Sequence, residues 1–347
     1  MYHPYSLHGS SLSEVRQISS VRLKKSDHKT PRKKEHLVIK KAMILAAGLG
    51  TRLRPLTNIL PKPLVPLLDQ PLLIYHLKQL ANIGVEEVVV NLHYLPEIIK
   101  QTIQDGAKWG IKVHYSLETP EILGTGGGLS KVQSFFEDEE AFLIVNGDIL
   151  CEMPWTQVIE HHKQQQAVAT LLVRTHPGDQ SGWVGTNGTD QITRVPDMPE
   201  DTASTKHQFT GLHVLSPAIF PHLPKNQFGC VLRTGYRKML ESGLKVSSYN
   251  VDDAVWRDIG NPSTYHAANI ALLREHNERT GENNYIGKDV TIGKGAVLKG
   301  CIVGEGATIG ENACLEDSII WRGVHVADGT NRCRVIHIGD EEIVIEK

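Results

Sequence analysis

The chain has 347 residues, of which 40% are hydrophobic and 22% charged, and its formal net charge is −2. That length exceeds what one core usually supports, so at least two structural units are expected. The composition is that of a globular protein and excludes a disordered one, and no stretch nears the roughly eighteen apolar residues that would suggest membrane insertion.

Charge is uneven: residues 1–40 carry nine Lys/Arg against three Asp/Glu, and the remainder 28 against 36. Residues 1–36 have no helical or strand period and read as a solvated, disordered basic tail, not a nucleic-acid or membrane anchor. The tail lacks the apolar stretch of a signal peptide. Cys151, Cys230, Cys301, Cys314 and Cys333 are widely spaced and odd in number, which argues against disulfides or a zinc site and suits a reducing cytoplasm.

From Leu37 the pattern becomes apolar strand, glycine turn, amphipathic helix. Strands are expected at 36–45, 85–91, 112–116, 141–146 and 167–175, with helices at 72–83, 96–104 and 155–165. This alternation predicts an α/β fold, a Rossmann-like mixed and mostly parallel sheet with flanking helices. A helix starting near Pro262 ends the α/β unit, assigned to residues 37–275, and the charged stretch 276–284 reads as a linker. Residues 285–347 then repeat every six residues: Ile286, Ile292 and Leu298, then Val303, Ile309 and Leu315 after a one-residue slip. Glycines 287, 293, 304 and 310 follow four of these aliphatics, the pattern of a short left-handed β-helix of about three turns. A hairpin, 335–338 and 342–345 about Gly339-Asp340, is expected to cap it, and His325 and His337 read as surface residues.

The first strand runs into Ala46-Ala47-Gly48-Leu49-Gly50-Thr51-Arg52-Leu53, with Pro61-Lys62-Pro63 shortly after. Glycines here let backbone N–H groups approach phosphate oxygens, and Arg52 adds a planar cationic fork. It is not a Walker loop, and Leu53 takes the third glycine's place in a dinucleotide fingerprint. Further on, Leu123-Gly124-Thr125-Gly126-Gly127-Gly128 reads as a loop for flat contact with a base or ribose, with Glu118 just upstream. Phe142 to Asp148 is an apolar strand that ends in Asn146-Gly147-Asp148, where α/β sheets bind ligands. Asp258 lies in Trp256-Arg257-Asp258-Ile259-Gly260-Asn261-Pro262, which also has the form of a helix cap.

The order G-x-G-T-R, P-K-P, L-G-T-x-G, N-G-D and W-x-D-I-G-x-P resembles the nucleotidyltransferases that make nucleoside diphosphate sugars, over about Lys41 to Arg334. The resemblance implies their GT-A-like catalytic fold and a reaction of a nucleoside triphosphate with a sugar 1-phosphate. It implies nucleotide contacts at Ala46, Ala47, Gly48, Gly50, Thr51, Gly124, Thr125, Gly126 and Asn146. Arg52, Lys62 and Asp148 would be catalytic, Lys62, Thr210 and Gly211 would meet the sugar phosphate, and Asp148 with Asp258 would hold Mg²⁺. Many relatives place a Glu-Lys-Pro before the strand containing Thr210; this chain has Arg194-Val195-Pro196, leaving Arg194 or Lys206 to replace that lysine. The run Asn91–Pro96, the glycine stretch and the short coil resemble the mannose-1-phosphate guanylyltransferase type. Uridylyl- and thymidylyltransferases, and enzymes of heptose or N-acetylated sugar phosphates, are alternatives within the family. A nucleotide-sugar-sensing homologue without catalysis, or a hexapeptide acyltransferase, are alternatives outside it. The coil also offers surfaces for a homo-oligomer.

Overall fold

The computed structural model describes residues 38–346 except 176–177, 179–182, 200–202 and 204; the expected tail 1–36 lies outside the described residues. Their main sheet has nine strands. Its backbone runs Lys112–Leu117, Glu87–Leu92, Lys41–Leu45, Phe142–Asn146, Thr205–Leu215, Ala169–Thr175 and Val246–Asn250 in spatial order. The long strand Thr205–Leu215 is antiparallel to both neighbours, while the remaining pairs along this order are parallel.

Both faces of this sheet are covered, which explains why its strands read as continuous apolar runs. Alternation then sends Ala42, Ile44, Val88, Val90, Leu143 and Val145 into one core. Met43, Val89, Phe142 and Ile144 enter the other. Helices Leu72–Asn82, Pro96–Ile103 and Trp155–Gln165 lie where the periodicity put them, within a residue at each end.

A two-stranded ribbon, Ile149–Glu152 against Val255–Asp258, stands apart from the main sheet. It leads into helix Pro262–Thr280, whose start is a capping box: Thr264 N–H donates to Asn261 Oδ1 (2.9 Å) and Asn261 N–H to Thr264 Oγ1 (3.1 Å). The helix stops at Gly281 in a left-handed conformation. Residues 276–280 of the expected linker are therefore helical: polar side chains on a solvent-facing helix read as a linker by composition.

The C-terminal region is β-helix-like. Parallel pairing joins Tyr285, Ile302, Ile319 and Ile336, so each rung advances seventeen residues, two sixes and a five. The one-residue slip in the repeat is that five. Val303, Ile309, Leu315, Ile320 and Val326 are buried inside, whereas Ile286 and Ile292 of the first rung are exposed. The antiparallel hairpin Val335–Ile338 with Glu341–Val344 closes the other end. His325 is exposed, but His337 is buried by that hairpin, contrary to its surface reading. Among the described residues, no helix is long and apolar enough to cross a membrane.

Candidate active site

Strands Lys41–Leu45, Glu87–Leu92 and Phe142–Asn146 are parallel neighbours, so their carboxyl ends open side by side. A cavity of about 190 Å³ lies there, lined by Ala46, Ala47, Gly48, Lys62, Asn91, Glu118, Gly124, Thr125, Asn146 and Asp148. Residues from the first glycine turn, the P-K-P turn, the N-G-D strand end and the second glycine stretch thus converge.

Lys62 is buried on a tight turn between two prolines, and its Nζ donates to Asp148 Oδ2 at 2.7 Å. Ribbon pairing sets Asp258 opposite Ile149, and Ile259 N–H donates to the Asp148 carbonyl at 3.2 Å. Asp258 is consequently a close neighbour of Asp148. Its carboxyl is raised above the ordinary value by burial first, with Asp148 pushing the same way and Lys62 and Arg52 opposing. Two carboxylates that repel each other, of which Asp148 lines the cavity and Asp258 stands beside it, suit a hard divalent cation, which takes one or two carboxylates together with substrate phosphates. Arg52 is exposed and does not line the cavity, but it is near enough for its charge to reach Asp258. His76, fully buried nearby, is pushed down to about 4 by burial, against an upward pull from Asp148 and the Ile149 backbone; it is neutral at pH 7.

A buried network spans the cavity. Ala46 N–H donates to Asn91 Oδ1, Asn91 Nδ2 to Glu118 Oε1 and Leu123 N–H to Glu118 Oε2, each at 2.7 Å. Glu118 is only 1% exposed, yet among the described residues no cation pairs with it. Asn91 and the strength of Glu118's placement escaped the sequence reading, because their contact joins the ends of two strands 27 positions apart.

Several expected residues stand elsewhere. The second glycine stretch is not a loop but the start of helix Gly124–Lys131. Gly124 and Thr125 line the cavity, whereas Gly126 is buried and its N–H donates to Gly229 O at 2.7 Å. Gly50, in left-handed conformation, caps the turn Thr51–Leu53 and packs on Thr57; neither it nor exposed Thr51 lines the cavity. Thr210 is buried, its hydroxyl donating to Leu172 O and its carbonyl accepting from Trp256 Nε1. Gly211 packs against Asn146, one layer behind the cavity. Arg194 is buried over the Trp183 ring, with Nη1 donating to Trp183 O, and Lys206 lies over the same ring. Neither lines the cavity in place of the missing lysine.

An open α/β sheet thus brings a glycine turn and a lysine–aspartate pair to one strand-end cavity, with a second aspartate beside it. The chain belongs to the nucleotidyl transferase family, whose model matches residues 41–275. It is 33% identical over 252 residues to a UTP–glucose-1-phosphate uridylyltransferase of Synechocystis, a match covering 68% of this chain and 64% of that protein. It is 30% identical to a mannose-1-phosphate guanylyltransferase of Mycobacterium tuberculosis over 83% of this chain and 77% of the relative. A probable mannose-1-phosphate guanylyltransferase 3 of Oryza sativa is 29% identical over 87% and 93%. The crystal structure of HddC from Yersinia pseudotuberculosis shares the fold, with a TM-score of 0.56 and 23% identity over 67% of this chain and all of that one.

Proposed function

We propose that this protein joins a nucleoside triphosphate to a sugar 1-phosphate with release of pyrophosphate, and that its substrates are GTP and mannose 1-phosphate. The mannose assignment rests on the guanylyltransferase relatives. The choice of base rests on one observation: the buried Glu118 side chain on the cavity wall, with which no cation among the described residues pairs. Both Glu118 oxygens already receive N–H donors, from Asn91 and Leu123, so this group is an acceptor. Guanine presents two adjacent donors, a ring N–H and an exocyclic amine, whereas uracil and thymine present a single N–H flanked by carbonyls. The uridylyltransferase relative supports UTP with glucose 1-phosphate as the second reading.

In this mechanism a phosphate oxygen of the sugar 1-phosphate attacks the α-phosphorus in line, and pyrophosphate leaves from the far side. Asp148 and Asp258 would hold Mg²⁺, which would supply charge neutralisation along the phosphates. Backbone N–H groups of Ala47 and Gly48 cradle the phosphates, while that of Ala46 is held by Asn91. Lys62, held by Asp148 before substrate enters, lies ready to meet the reacting phosphates, and the exposed Arg52 offsets charge on the leaving group. No side-chain base is required, because the attacking phosphate is already ionised near neutral pH. The five free cysteines suit the cytoplasm as the place of this reaction.

The test is pyrophosphate release with Mg²⁺ over GTP, UTP, dTTP, CTP and ATP crossed with mannose, glucose, N-acetylglucosamine and heptose 1-phosphates. Turnover is expected with GTP and mannose 1-phosphate, with Asp148→Asn losing it. Silence from folded protein across the panel would favour a nucleotide-sugar sensor, and a UTP–glucose 1-phosphate optimum would favour the second reading.

A further inference from the structure

One column of the coil repeat carries a large side chain where glycine is expected. Strand register aligns Ile286, Val303 and Ile320 in successive rungs, so the residues after them, Gly287, Gly304 and Trp321, occupy equivalent positions. Where two rungs carry glycine the third carries a tryptophan, followed by Arg322. Both reach out of the coil towards the segment that follows Lys62.

That segment is a small hairpin, Pro66–Leu67 paired with Gln70–Pro71. Its two turn residues, Leu68 and Asp69, both have positive φ (43° and 62°), which side chains bearing a Cβ adopt reluctantly. Outside contacts hold it. Arg322 donates to the Asp69 carboxylate through Nε (3.0 Å) and Nη2 (3.2 Å), and Glu305 N–H donates to the same carboxylate at 3.1 Å. Trp321 Nε1 donates to Tyr265 Oη at 2.9 Å, and Tyr265 in turn donates to Pro66 O at 2.7 Å. Leu68 N–H donates to Asn269 Oδ1 at 3.0 Å. The Asp69 carboxylate is only 7% exposed, so this is a forked, partly desolvated ion pair and stronger than a surface one. Packing around these residues leaves a void of only about 10 Å³.

We propose that Trp321 and Arg322 are positioning residues for Lys62: the coil braces the hairpin, and the hairpin sets where Lys62 meets Asp148. Lys62 lies four residues before Pro66, along a stretch tied by Val65 N–H to Lys62 O and Leu72 N–H to Val65 O. A close-packed path transmits displacement instead of absorbing it. The coil thereby takes part in catalysis without touching substrate. The inference rests on Lys62 acting in the proposed reaction, but its first test does not.

Lysine acylation mapped by mass spectrometry reads the lysine directly. In Arg322→Ala and Trp321→Phe, Lys62 is expected to label several-fold faster than in the wild type, with Lys245 on the far side of the sheet unchanged. Trp321→Phe keeps an aromatic ring in the interface and removes the N–H donor, so it serves if Arg322→Ala does not fold. Unchanged labelling of Lys62 in folded variants overturns the proposal. In turnover, Arg322→Ala is expected to lower kcat about tenfold or more per folded molecule with little change in KM for the triphosphate, since sub-ångström misplacement acts on the chemical step. The loss should vanish in a Lys62→Ala background; an equal loss in both backgrounds would mean a purely structural role. If the wild type turns over none of the substrates, the fault lies with the proposed function, and labelling alone decides this inference.

Discussion

Exchanging the Glu118 carboxylate for an amide preserves shape and turns an acceptor into a donor, at a group already receiving hydrogen bonds from Asn91 and Leu123. Glu118→Gln is therefore expected to lower kcat/KM for GTP by roughly 30-fold, the equivalent of about 2 kcal/mol for a buried donor left without its acceptor. UTP should be affected far less, so the GTP-to-UTP ratio measured side by side is the deciding quantity. An unchanged ratio would mean that Glu118 only fastens Leu123 to Asn91. At this scale the sequence disclosed what local pattern carries: a lysine between prolines, an aspartate ending an apolar strand, glycines in a turn. It offered Glu118 only as a contact candidate upstream of a glycine stretch, because its placement comes from burial and from an asparagine on a neighbouring strand. Nor could it show Arg194 and Lys206 stacked on Trp183, because a charge in a sequence does not say what it lies against.

The second glycine stretch shows how an element can oppose its own composition. Four glycines among five residues argue against a helix, each costing about 1 kcal/mol relative to alanine, and the sequence accordingly reads as a loop. The helix forms because the chain around 227–231 lies directly on it, held by Gly229 N–H to Leu123 O and Val231 N–H to Thr125 Oγ1. A Cβ on Gly127 would stand 2.3 Å from Gln227 O, a backbone atom that cannot swing aside. Gly127→Ala thus gains helix propensity and loses a close approach. The clash should win, since overpacking typically costs about 1–3 kcal/mol. The expected outcome is a lower melting temperature by calorimetry; a higher one would show that this contact yields easily. The five sheet strands and the helices that the sequence led one to expect were legible because apolar period and burial agreed there, whereas the ribbon that pairs Asp258 with Ile149 joins segments too distant for any periodicity to reveal.

For the whole molecule, the repeat announced a coil but not how it sits. The coil does not hang from the α/β unit by a linker; the two share a core. Leu67, Leu72, Leu150, Ile259, Tyr265 and Ala268 form one buried cluster with Ile302, Ile319, Trp321 and Ile336. Ending the chain after Asn284 would therefore uncover a face that is fully or nearly fully buried in the intact protein. At about 1.5–3 kcal/mol for each large apolar side chain returned to water, losing a few of them rivals the entire stability of an ordinary domain. Such a truncated chain is expected to melt well below the full-length protein and to bind a hydrophobic dye at ambient temperature. Particle mass by light scattering then separates two roles for the coil. A full-length oligomer that becomes a stable, well-folded monomer on truncation would assign the coil to assembly, whereas an unstable, dye-binding product would show that it completes the catalytic unit's own core. The shared cluster favours the second outcome, and an unchanged melting temperature would exclude it.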